Sequence, residues 1–300
     1  MRIVTRPDFD GIVCATLLYE TEDVTEPVYW VQPNDIQKGL VEIRNGDILA
    51  NLPYDERCSL WFDHHFTNKI NTPFKGAFKI APSAAGIIFE HYKDRFKSDY
   101  GELARETDKI DSAELSVDEV LHPENYPFLL LSMTIVGHND DNYWNSVVDL
   151  LRKHRIGKIL DDPEVKQRCT AVIEQNKKYK KDLLKHTQVT GHVSVTDFRC
   201  LDKPPNGNRF LVYSLFPASV VSVKIRYDDD NKTCVAVSVG HSIFNRNCNV
   251  NVGLMLSKFG GGGHRGAGSC RFPAGKAEEY IPNILNILIK NEINEVSSID

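Results

Sequence analysis

With 300 residues the chain is long enough for two compact domains, because single hydrophobic cores rarely grow past roughly 250 to 300 residues. Hydrophobic residues make up 41% and charged residues 26%, the composition of a globular protein, which excludes wholesale disorder. The net charge of −5 argues against a general nucleic-acid coat such as a binder of long duplexes, so a phosphate-bearing ligand has to be met by a local cluster or by metal ions.

In chain order, Arg2–Thr5 reads as a strand, PDFDG as a turn and IVCATLLYE as a helix with Asp10 as its cap. Apolar runs at 28–31, 48–52 and 59–62 read as further strands. Ser83, after Pro82, caps a helix over SAAGIIFEHYKD. Strands alternating with helices over this first part point to a parallel α/β sheet. From 114 to about 186 the pattern is mainly helical and ends in the long, charged PEVKQRCTAVIEQNKKYKKDLLKHT, the candidate connector. Beyond Val189 the β-rich runs VSVTDF, VVSVKIRY and TCVAVSVG appear, the last two around the turn DDDNK. The helices NVNVGLMLSKF and AEEYIPNILNILIKN flank GGGGHRGAGS, giving a smaller α+β domain. The domains read as 1–147, a helical linker 148–188, and 189–300.

Seven scattered cysteines without a C-x-x-C pair fit a reducing compartment. With no run of about 18 apolar residues, no membrane partner is expected. The reading is a soluble, cytoplasmic protein.

Asp8, Asp10, Asp47, Asp63, His64 and His65 all stand at the edges of short apolar runs. In an open parallel sheet, turns at the carboxyl ends of strands lie together, and carboxylates gathered there repel unless protonated or bound to cations. Mixed Asp and His ligation suits manganese, iron or zinc. GGGHRG also satisfies G-x-G-x-x-G, but a helix precedes it and a strand follows, the reverse of a dinucleotide fold. Its consecutive glycines suit a backbone nest for anionic oxygens instead.

The motifs RPDFDG, GDILANLPY, WFDHH and GGGGHRGAG, in this order, resemble the DHH phosphoesterase superfamily with its C-terminal DHH-associated domain. The branch it is most similar to contains nanoRNases, phosphoadenosine-phosphate phosphatases and exopolyphosphatase-related proteins. The resemblance implies an N-terminal parallel-sheet domain, a helical linker, a smaller mixed domain and an active site in the interdomain cleft. It implies two manganese ions, with Asp8 on one, Asp10 and His64 on the other and Asp47 bridging. Asp63 and His65 would serve the catalytic step, with His65 facing the scissile phosphate. Asp108 would supply the fourth carboxylate, and Asp111 competes for that role. Arg246, Asn247, Gly261, Gly262, Gly263, His264 and Arg265 would bind substrate. Many relatives carry a metal-binding histidine four residues before the first aspartate, and here that position is Val4. The implied activity is hydrolysis of phosphoester bonds in small nucleotides or short oligonucleotides, with polyphosphate chain ends as the alternative and a non-catalytic nucleotide sensor as the reading from another class. A homodimer is left open.

Overall fold

A computed structural model describes residues 1–135 and 139–295. Positions 136–138, inside the run read as helical, lie outside the described residues. The chain divides into two compact units. The first is Met1–Leu115 with His122–Val172; the second takes Ser116–Leu121 and the chain from Ile173 onward. The boundary falls within the helix Pro163–His186.

The first unit is built on a parallel sheet of β1 (Arg2–Thr5), β2 (Tyr29–Trp30), β3 (Asp47–Ala50), β4 (Leu60–Asp63) and β5 (Gly76–Phe78), in the order β2-β1-β3-β4-β5. Buried on both faces, its central strands read as unbroken apolar runs rather than alternating ones. One apolar cluster joins Val4, Leu49 and Trp61 to Val31, Val41, Ile43 and Leu52. Trp61 stacks on Phe78 with centroids 5.2 Å apart, and its Nε1 donates to the Leu52 carbonyl at 2.9 Å. The helix Phe9–Thr21 packs against the helices Ala84–His91, Gly101–Asp111 and Asp141–Lys153.

Two caps decide where chemistry can sit. Ser83 caps Ala84–His91 by accepting from the Gly86 N–H, as the sequence suggests. The first helix is capped by Asp8, which accepts from the Gly11 N–H at 2.9 Å. Asp10, expected as the cap, lies in the first turn instead, because the helix begins one residue before it. Gly11 is needed here: a Cβ would lie 1.9 Å from the Arg6 carbonyl oxygen.

The second unit carries a mixed sheet of β6 (Thr187–Thr190), β7 (Val193–Asp197), β8 (Val221–Tyr227), β9 (Cys234–His241), β10 (Gly262–His264) and β11 (Ala267–Pro273), in the order β10-β11-β9-β8-β7-β6. Alternate residues Val221, Val223, Ile225 and Val235, Val237, Val239 point into a core with Ile284 and Leu288 of the helix Ala277–Lys290. The triple aspartate is a turn, as read: Asp229 accepts from the backbone N–H groups of Thr233 and Cys234. Tyr143 and Trp144 are packing residues of the first unit, each 2% exposed.

Candidate metal and phosphoester site

Three strand ends bring the chemistry together. Asp8 follows β1, Asn51 follows β3, and β4 ends on Asp63 with His64 and His65 next. Because these strands are parallel, all three ends lie on the carboxyl edge of one sheet.

Asp10 is 1% exposed and accepts from the N–H groups of Ala84 at 3.0 Å and Ala85 at 2.8 Å, the first two residues of their helix. A helix N-terminus favours an anion. Burial, followed by the nearby Asp8, nevertheless pushes the Asp10 carboxyl up to about 7. Asp111, the last residue of Gly101–Asp111, is likewise raised to about 7 by burial and by Asp10 and Asp8.

His64 faces both carboxylates. Its Nδ1 lies 2.9 Å from the Ala81 carbonyl, which can only accept, so Nδ1 is the donor there and Nε2 is the nitrogen turned to the carboxylates, free to offer a lone pair to a cation. Nε2 is buried without a hydrogen-bond partner, 3.7 Å from Asp10 Oδ2 and 3.5 Å from Asp111 Oδ2. Left unmade, a buried hydrogen bond costs about 1–3 kcal/mol, and here the neighbouring atoms are themselves acceptors. A cation resolves both faults. Asp10, His64 and Asp111 offer ligand atoms that all lie within 4.8 Å of one another. The His64 ring is also set as metal-bound imidazoles usually are, with its far N–H on a carbonyl.

Asp63, His64 and His65 form a second group within the same distance. Asp63, however, is wholly buried and already engaged: Oδ1 lies 2.8 Å from His65 Nδ1, and Oδ2 accepts from Asn68 Nδ2 at 2.6 Å. That arrangement is an oriented acid–base pair. The bond to Asp63 holds the His65 imidazole above its ordinary pKa despite partial burial.

Two expected ligands lie elsewhere. Asp108 accepts from Ser83 Oγ at 2.6 Å and joins neither group, so Asp111, the competing reading, is the carboxylate brought to His64. Asp47 opens β3 rather than closing it. It pairs in register with Arg2, binds the Arg2 guanidinium through both oxygens at 2.9 and 2.7 Å, and so marks the amino edge of the sheet. Four residues of strand, roughly 13 Å, separate it from Asn51.

Sequence reasoning missed Asn51. It is 2% exposed, has a φ of 56°, and donates from Nδ2 to Asp8 Oδ1 at 2.9 Å, while its Oδ1 is buried without a partner. The far oxygen of Asp8 pairs with Arg6 Nε at 3.0 Å. Val4 lies wholly buried in the apolar cluster. The missed signal was position: a polar residue directly after an apolar run that leads to the carboxyl edge. A cavity of about 600 Å³ lined by Arg44, Arg57 and Lys75 belongs to another part of this unit, and its arginines are already paired with Glu26 and Asp55.

In the second unit Gly262, Gly263 and His264 form β10, paired with β11 in a hairpin, and Gly261 leads into it. Gly263 has a φ of 150°, and a Cβ there would lie 2.3 Å from the Ala267 carbonyl oxygen. Arg265 pairs with Glu295 at 2.5 Å. Arg246 and Asn247 lie in the loop after β9, where Arg246 Nε donates to the Ile243 carbonyl and Asn247 Nδ2 to Asn245 Oδ1.

No family profile matches the chain, and no curated protein sequence does. Its structure is similar to that of the pGpG-specific phosphodiesterase PggH from Vibrio cholerae, with a TM-score of 0.86 and 31% identity over 97% of this chain and 99% of that one. It is also similar to RecJ from Thermus thermophilus in complex with Mn2+, with a TM-score of 0.59 and 13% identity over 98% of this chain and 53% of that one, a likeness of fold. No helix among the described residues is long and apolar enough to cross a membrane. With four motifs in order, the strand-end carboxylates assembled and a relative matched over nearly its whole length, the chain belongs to the DHH phosphoesterases, hydrolases of phosphoester bonds.

Proposed function

We propose that the chain is a manganese-dependent phosphodiesterase of short oligoribonucleotides, with 5′-phosphorylated dinucleotides of the pGpG type as its substrate class. The observation that carries the metal dependence is His64 Nε2, buried and unpartnered between Asp10 and Asp111. The substrate class draws on the 31% identity to a pGpG-specific enzyme. Two carboxylates with one imidazole suit manganese, and a manganese complex is known for the RecJ fold. Asp10, His64 and Asp111 would hold a divalent cation, which would supply Lewis acidity toward water and the phosphoryl group.

The chain's own residues do the rest. Asp10 and Asp111 hold negative charge at one point, and the Ala84–Ala85 N–H groups fix the Asp10 carboxylate in place. His65, tethered through Nδ1, keeps Nε2 for the substrate, and its raised pKa preserves a proton for the departing ribose oxygen. Asp63 orients that ring, and Asn68 holds Asp63. Arg246, Asn247, the Gly261–Gly263 backbone, His264 and Arg265 would bind the body of the substrate. Arg265 would exchange Glu295 for a phosphate, which its guanidinium matches as a fork.

The test is a panel with manganese: pGpG, other dinucleotides, a 3′,5′-bisphosphate nucleotide, a cyclic dinucleotide and polyphosphate. Mononucleotide release from pGpG, lost in His65→Ala and Asp111→Asn, is expected. Phosphate release from polyphosphate or the bisphosphate with pGpG left intact would replace this substrate class.

A further inference from the structure

The resemblance implies two cations, but among the described residues the ligand geometry fits one. On the Asp10 side, His64 Nε2 and two carboxylates face each other, and Nε2 is buried without a hydrogen-bond partner. Among the described residues, the groups at the ends of β1 and β3 on the Asp8 side, Val4, Asp8 and Asn51, are apolar, already committed and neutral in turn. Val4 is an apolar core residue. Asp8 Oδ1 accepts from both the Gly11 N–H and Asn51 Nδ2, and Asp8 Oδ2 faces Arg6 Nε. Asn51 holds the strand end where a bridging carboxylate would have to stand, and it is an uncharged amide. Its orientation is fixed by chemistry: turning the amide over would set its oxygen against the Asp8 carboxylate.

We propose that Arg6 stands in for the second cation, so that this chain holds a single divalent ion, among Asp10, His64 and Asp111. Charge agrees with this. Asp8, Asp10 and Asp111 when ionised carry three negative charges, and Arg6 returns one. One divalent ion then balances the cluster, and two would leave it with an excess of two positive charges. A guanidinium stays protonated at any working pH and presents a planar fork of donors. With Nε on Asp8, the Nη groups of Arg6 are left for phosphoryl oxygens, the charge stabilisation that a second metal ion gives in two-metal sites.

This inference rests on the metal-dependent reading above, but its measurement counts ions and needs no turnover. Chelator-stripped, full-length chain is titrated with Mn2+, bound ion is counted by elemental analysis, and the Mn2+ spin-resonance spectrum is recorded. One ion per chain with the spectrum of an isolated Mn2+ is expected. The double variant Arg6→Gln with Asn51→Asp frees Asp8 and restores a bridging carboxylate, and it should bind a second, spin-coupled ion. Two ions on the wild type overturn the inference and leave the hydrolase reading standing, whereas no ion at all overturns both. A folded double variant that still binds one ion overturns the role given to Arg6. The wild-type count decides the single-ion claim even if the variant fails to fold.

Discussion

His65 Nδ1 lies 2.8 Å from Asp63 Oδ1, and the Asp63 carboxylate is entirely buried. A buried anion bonded to one ring nitrogen fixes the tautomer, aims the other nitrogen outward and raises the imidazole's pKa. If His65 is the acid, activity depends on its protonated form and falls as pH rises through that raised pKa. Asp63→Asn removes the anion, so the alkaline limb of the rate profile should move to lower pH, toward the ordinary value near ~6.5. His65→Ala should cost about 10²- to 10⁴-fold in kcat. Profiles of kcat against pH with saturating manganese read both effects, and an unmoved limb in Asp63→Asn would remove Asp63 from this role.

Asp108 and Asp111 lie one helical turn apart and have different duties. Asp111→Asn takes a charged oxygen from beside His64 and should weaken Mn2+ binding by at least about tenfold, the lower end of what even indirect perturbation of a metal site produces. Asp108→Asn loses the anionic partner of Ser83, and Mn2+ affinity should stay close to wild type. Calorimetric titration of the two variants side by side decides this, and the opposite order would return Asp108 to the site.

What could be read from the sequence follows which interactions are local. β1, β3 and β4 announce themselves as apolar runs, and the Ser83 cap is a short-range pattern that the structure keeps. The DHH triplet starts on the last residue of β4, so the strand end places Asp63 and the two histidines that follow it. Asp47 misled because an acidic residue beside an apolar run looks the same at either end of a strand. Only pairing with Arg2 tells the amino edge from the carboxyl edge. Asp108 against Asp111 turns on which side of one helix meets His64, and that depends on packing between helices distant in the chain. Arg6 and Asn51 went unread because an arginine beside a proline and an asparagine after a strand carry no metal signature. Their meaning lies in a contact across 43 positions, Asn51 to Asp8.

Removing metal should make stability fall with rising pH. Asp10 and Asp111 are raised in the fold to about 7, against roughly 3.9 in an unfolded chain. Between these values the folded state holds protons that the unfolded state has released, so stability declines as pH rises and the loss is complete above about 7. His65, also raised, acts in the same direction. In chelator the melting temperature should be higher at pH 5 than at pH 8. Mn2+ at pH 8 should recover much of the difference by replacing protons as the counter-charge. A metal-free melting temperature that is flat or rises over this range would contradict the buried, mutually repelling pair.

Asp47 is the reverse case, a carboxylate whose loss should harm the fold and spare the chemistry. It is 1% exposed, takes two bonds from Arg2 and a third from the Arg44 N–H at 2.9 Å. Breaking a buried ion pair from one side typically costs about 3–5 kcal/mol, and because the Arg2 side chain keeps 15% exposure, about 2–3 kcal/mol is expected for Asp47→Asn. Arg2→Ala should cost a similar amount, and the double variant less than the sum, since both remove one interaction. Denaturant unfolding measures all three. Mn2+ affinity and kcat per folded molecule should be unchanged in each, because the Arg2↔Asp47 register sets this pair at the opposite edge from His64. If Asp47→Asn abolished metal binding while the chain remained folded, β3 would have to be shifted along β1. Asn51 would then no longer reach Asp8, and the single-ion reading would fall with it.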